Sequence, residues 1–103
     1  MSIDFAPRAK WDLEELVDDI QGRSGKFVAH RFSNKVARTL QLLERFPSSG
    51  ELIEPGYPLL KGFRATGVRH YPNHVIYFLP EVDGIRVVRV LYGPRDRDAT
   101  FGS

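Results

Sequence analysis

The chain has 103 residues, 42% of them hydrophobic, which limits it to one domain (residues 1–103) with a modest core. With no cysteine, disulfides, thiolate zinc sites and a cysteine nucleophile are excluded. No stretch approaches the ~20 consecutive apolar residues of a membrane span, and Met1-Ser2-Ile3-Asp4 lacks the basic start of a signal peptide, so a cytoplasmic protein with no membrane partner is expected.

The formal net charge of +2 hides an uneven distribution. Residues 7–21 are acidic, with Arg8 and Lys10 against Asp12, Glu14, Glu15, Asp18 and Asp19. Residues 26–46 are basic, with Lys26, Arg31, Lys35, Arg38 and Arg45 against Glu44, and residues 61–98 again carry more Lys and Arg than Asp and Glu. A basic face of this kind attracts an anionic partner, either an acidic polypeptide or a nucleic acid.

At the start of the chain, Ile3 and Phe5 alternate with Ser2 and Asp4, which predicts a short strand. Pro7 suits the first turn of a helix, where its missing N–H costs nothing, and Leu13, Leu16, Val17 and Ile20 follow at helical spacing. Asp12, Glu15 and Asp19 fall toward the polar side, and Trp11 is expected as packing material. Gly22-Arg23-Ser24-Gly25 predicts a four-residue break, short enough to make the next helix an antiparallel neighbour. That second helix starts at Lys26, buries Ala29, Phe32, Val36, Leu40 and Leu43, and stops at Phe46-Pro47-Ser48-Ser49-Gly50.

Residues 47–62 hold three Pro and three Gly without periodicity and read as a surface loop. Phe63–Arg69 is a weaker strand in which Gly67 marks a bulge or a close backbone approach. Tyr71-Pro72-Asn73 is expected to turn it into the strand His74–Leu79, and Asp83-Gly84 then turns that strand into Ile85–Leu91. Tyr92-Gly93-Pro94-Arg95-Asp96 ends the last strand and presents Arg95 and Asp96 at the rim of a sheet. The element order predicts an α+β fold, a helical hairpin packed on a small antiparallel sheet (β-α-α-β-β-β).

Several chemistries find no pattern in the chain. The nine Gly are scattered rather than grouped as a phosphate loop, and no nucleophile elbow surrounds a serine. His70 and His74 are the only tempting metal pair, and no third ligand is visible. Neither a metal nor a cofactor is expected.

Asp12-Leu13-Glu14-Glu15-Leu16, Leu60-Lys61-Gly62-Phe63-Arg64, His74-Val75-Ile76-Tyr77-Phe78 and Val88-Arg89-Val90-Leu91-Tyr92-Gly93-Pro94-Arg95-Asp96 together resemble the ParE branch of the RelE/ParE toxin superfamily, over nearly the whole chain. One departure is Tyr92, where many members carry His before the Gly. The resemblance implies the toxin of a type II toxin–antitoxin module, a plasmid stabilisation system. Its partner would be a cognate ParD-like antitoxin, in an assembly with at least two copies of each chain. The antitoxin's acidic amphipathic tail is expected to lay apolar anchors along a groove between the helices and the sheet.

The resemblance implies two different activities. RelE-like members cut messenger RNA on the ribosome with basic residues and a C-terminal aromatic hydroxyl or imidazole. ParE-like members bind and block DNA gyrase and need no active site. Arg95 matches a RelE catalytic arginine, His74 stands where RelE has another arginine, Arg64 falls near a basic strand residue, and the RelE tyrosine position holds Phe101, which has no proton to exchange. With that set incomplete, gyrase inhibition by binding is the expected function, and the chain is expected not to be an enzyme. The alternative is a ribosome-dependent endoribonuclease of the RelE type, for which the catalytic candidates are Arg64, His74, Tyr92 and Arg95. Arg64, Arg69, Arg86, Arg89 and Arg95 are the candidates for contact with antitoxin or target.

Overall fold

The computed structural model describes residues 2–53 and 62–93. Strand β1 (Ser2–Phe5) leads through Ala6 into helix α1 (Pro7–Ser24), with Pro7 at the helix start as its fixed φ favours. Helix α2 (Lys26–Arg45) follows after Gly25 alone. The expected break of four residues is thus a single residue. Gly22 costs a helix about 1 kcal/mol, too little to stop it, whereas Gly25 adopts φ 91°, which a side chain resists. The Gly25 N–H still donates to the Gln21 carbonyl, so α1 ends with its last hydrogen bond intact.

Four further strands follow among the described residues: β2 (Glu51–Leu52), β3 (Arg64–Val68), β4 (Tyr71–Glu81) and β5 (Gly84–Tyr92). The sheet order is β1-β5-β4-β3-β2. The expected antiparallel run is present from β2 to β5, and β1 joins it in parallel, pairing Ser2–Phe5 with Gly84–Val87, so the sheet as a whole is mixed. Gly84 is required at this junction. It has φ 152°, and a Cβ there would collide with the backbone of Ser2.

The β3–β4 turn lies at Arg69-His70 rather than at Tyr71-Pro72-Asn73. Val68 pairs with Tyr71, and His70 takes the left-handed conformation at φ 70°. Pro72 is tolerated inside β4 because the register shifts beside Gly67, leaving residues 72–74 without a β3 partner. The backbone of Pro72 passes 3.1 Å from where a Gly67 Cβ would stand. A second shift, at Tyr77/Phe78, leaves Val88 as the extra residue of β5. Part of the expected 47–62 loop is β2 and the buried Ile53, and residues 54–61 lie outside the described part.

One face of the sheet packs against the hairpin. Phe32, Val36, Leu40 and Leu43 of α2 meet Val68, Ile76, Phe78, Ile85, Val87 and Val90, joined by Ala9 and Ile20 from α1. A smaller cluster of Ile53, Ala65, Tyr77 and Leu91 lies on the other face. Trp11, expected in packing, is half exposed, with the Arg8 guanidinium 4.4 Å above its ring. No described helix is long and apolar enough to cross a membrane.

Candidate functional site

Register places His74 opposite Tyr92, where β4 begins its pairing with β5, and strand alternation turns His74 to the helix side together with Ile76 and Phe78. There it meets the buried ring of Phe32 at 4.8 Å, Tyr92 at 4.8 Å and Tyr71 at 6.1 Å, while Phe32 and Tyr71 meet edge to face at 5.2 Å. Burial among these rings lowers the His74 pKa below 6.5, and the positive charge of Arg23 lowers it further. The imidazole is therefore neutral at neutral pH and serves as a fourth aromatic ring. Arg23 itself is paired with Asp19 on the outside of α1.

The arginines named from sequence separate into different environments. Arg64 donates from Nη1 to the carbonyls of Ser48 (3.1 Å) and Gly50 (2.7 Å) and so ties the segment after α2 to β3. It pairs with Phe78, four residues along β4 from His74, or about 13 Å at ~3.3 Å per residue. Arg64 and His74 therefore do not share a site. Arg89 is 19% exposed and donates from Nε (2.7 Å) and Nη2 (3.1 Å) to the carboxylate of Asp12. Arg86 and Arg69 are exposed, and Arg95 lies outside the described residues, as do Asp96 and Phe101.

Asp12 is the residue that sequence reasoning placed on the wrong side. It is 6% exposed, accepts the Arg89 fork and the Val90 N–H (3.1 Å), and lies 3.5 Å from Arg8 Nε. The cause is the sheet edge. β1 pairs with β5 only as far as Val87, so beyond it no described strand pairs with this edge of β5, and α1 supplies an acceptor there.

Two surfaces stand apart from these contacts. One is an open groove of about 760 Å³ between the outer face of α2 and the β3–β4 turn, lined by Arg31, Lys35, Arg38 and Arg69 with Asn34, Gln41 and His70. Thr39 fixes its geometry: the hydroxyl donates to the Lys35 carbonyl (2.8 Å) and accepts the Arg69 N–H (3.1 Å), which pins the turn to the helix. The sequence signals for this groove were the basic excess of residues 26–46 and the spacing of the cations in it. The other surface is an apolar trough along the hairpin, where Phe5, Leu13 and Val17 line one cavity and Val17, Phe27 and Ala29 the next, with Ser33 common to both. No group of three His, Asp or Glu stands together to hold a metal ion among the described residues.

A family model described as "ParE toxin of type II toxin-antitoxin system, parDE" matches residues 3–97. Among solved structures, the chain is similar to one described as "Chromosomal ParDE TA system from P. aeruginosa", with a TM-score of 0.73 at 17% identity over 90% of this chain and 96% of that one. No curated protein matches the sequence.

Proposed function

Because the chain belongs to the ParE toxin family of type II toxin–antitoxin systems, we propose that it arrests growth by binding DNA gyrase rather than by cutting RNA, and that a cognate ParD-like antitoxin neutralises it. The observation that carries this reading is the separation of Arg64 from the neighbouring His74 and Tyr92 rings, with Arg95 outside the described residues. RNA cleavage needs a proton donor and acceptor beside a fixed positive charge. Arg64 is committed to two carbonyls about 13 Å along the strand from His74, and His74 is held neutral in an aromatic cluster with Tyr92. Residues used as packing and as loop ties support a protein that acts through its surface.

The antitoxin's apolar anchors are assigned to the hairpin trough of Phe5, Leu13, Val17 and Phe27. The 74% exposure of Phe27 leaves its ring available to a partner. Dimerisation of antitoxin heads then gives at least two copies of each chain, and light scattering at the mass of a 1:1 complex would remove that part.

Purified chain added to gyrase and relaxed plasmid is the test of the target. Supercoiling should be lost and should return when antitoxin is added. Codon-positioned cuts in messenger RNA on translating ribosomes, with gyrase unaffected, would overturn the reading and make His74, Tyr92 and Arg95 the catalytic candidates.

A further inference from the structure

The outer side of α2 carries Arg31, Lys35, Arg38 and Arg45 at steps of four, three and seven. At ~100° per residue these fall in one stripe opposite the buried side of Phe32, Val36, Leu40 and Leu43. The stripe is about 21 Å long at ~1.5 Å per residue. Arg69 is held against it by the Thr39 bond. Among the described residues, Arg31, Lys35, Arg38 and Arg69 make no ion pair, and no carboxylate lines the groove they form. Four like charges gathered on a rigid scaffold, with no described carboxylate paired to any of them, are a surface built for an anionic polymer.

We propose that this groove binds the phosphate backbone of double-stranded DNA. Three features select duplex DNA over other polyanions. The groove offers no large apolar side chain and its continuation toward Arg45 only Leu42, so an acidic amphipathic peptide would find a single anchor there, whereas the trough on the hairpin supplies several. It contains no Phe, Tyr or Trp on which unstacked bases sit, which disfavours single strands. Along α2 it runs from Arg31 to Gln41, about 15 Å at ~1.5 Å per residue, and so covers about four phosphates of one strand at ~3.4 Å of helix axis each, one for each of its four cations. The flexible Arg and Lys side chains, with Asn34 and Gln41 among them, contact phosphate and sugar rather than base edges, so binding is independent of sequence. This proposal concerns a different face from the antitoxin trough and does not depend on gyrase being the target.

Fluorescence anisotropy of a labelled duplex of arbitrary sequence, titrated with the antitoxin-free full-length chain, tests it. Four neutralised phosphates give a slope of about −3.6 for log K against log salt, equivalent to roughly 150-fold weaker binding at ~200 mM than at ~50 mM salt. The variant Arg31→Gln/Arg38→Gln changes only exposed side chains, and thermal melting verifies that it remains folded. Its slope should halve to about −1.8, and its binding at ~50 mM salt should weaken by about tenfold or more. Absence of binding up to ~100 μM at ~50 mM salt, beyond the usual range for non-specific contacts, would overturn the proposal. A slope unchanged in the folded variant would do the same. So would an acidic peptide or a single strand of equal length that holds the groove against excess duplex.

Discussion

Replacing Asp12 by Ala removes the carboxylate that, among the described residues, joins α1 to the edge of β5 beyond Val87. Two losses set the size of the effect. The Val90 N–H becomes a buried donor without an acceptor, at about 1–3 kcal/mol. Arg89, only 19% exposed, loses both arms of its fork, and breaking a buried pair costs about 3–5 kcal/mol when the remaining charge cannot escape. Arg89 reaches water in part and the desolvation of Asp12 is itself relieved, so the net loss is expected near ~3 kcal/mol, a large share of the ~5–15 kcal/mol that holds such a domain. At about 4–8 °C per kcal/mol, melting followed by circular dichroism should drop by roughly 12–24 °C. Asp12→Asn keeps an acceptor for Val90 but not the charge, and should lose about half as much. In a double-mutant cycle with Arg89→Met the coupling should be about 1–3 kcal/mol. A loss under ~0.5 kcal/mol for Asp12→Ala, the size of an ordinary surface change, or a coupling of zero, would refute the assignment of this pair as the tie between helix and sheet.

Arg64→Ala should lower stability by about 1–2 kcal/mol in urea unfolding through its two carbonyl bonds, while the folded fraction keeps full toxicity; lost toxicity at full stability would make Arg64 a functional contact. Gly84→Ala combines backbone strain with a collision against Ser2 and should cost of order 3 kcal/mol, releasing β1 from β5, which amide hydrogen exchange at residues 3–5 would report. His74 has a folded pKa below its ordinary 6.5, so the unfolded chain binds the proton more readily. Its contribution is complete above about pH 6.5 and is lost as pH falls from there through the folded value. Stability of the wild type should therefore decline on acidification across that window more steeply than that of His74→Phe, and parallel curves for the two proteins would contradict the packing described for the imidazole.

The parts of the fold that were legible in the sequence are those whose cause is local. The stripe of Ala29, Phe32, Val36, Leu40 and Leu43 is fixed by helical spacing within one element, and all five are buried. Gly67 marked a close backbone approach and has one. What was missed depends on distant partners. Asp12 lies off the apolar stripe of α1 and looks solvated until β5, 77 positions away from it at Arg89, leaves an edge that needs an acceptor. Arg64 and Arg89 looked like surface charges for the same reason: sequence registers the charge and not the carbonyl or carboxylate that receives it. Pro72-Asn73 outweighed His70 as a turn signal, because Pro and Asn dominate turns, yet the register shifts beside Gly67 and the turn lies upstream, with His70 in the left-handed region that His, Asn and Asp enter more readily than other side chains. The basic groove was half visible, as a charge excess in α2; that Arg69 joins it follows from the Thr39 contact alone.

The proposed action by binding, without acid–base chemistry, is tested most directly by comparing wild type with His74→Phe/Tyr92→Phe in gyrase supercoiling and in ribosomal messenger RNA cleavage side by side. Both substitutions keep an aromatic ring in the cluster while removing the exchangeable protons of His74 and Tyr92, the two members named as catalytic candidates. The expected result is equal inhibition of supercoiling by the two proteins, reversed by antitoxin, with RNA left intact by both. RNA cut by the wild type and spared by the double variant, with gyrase indifferent to each, would contradict the account.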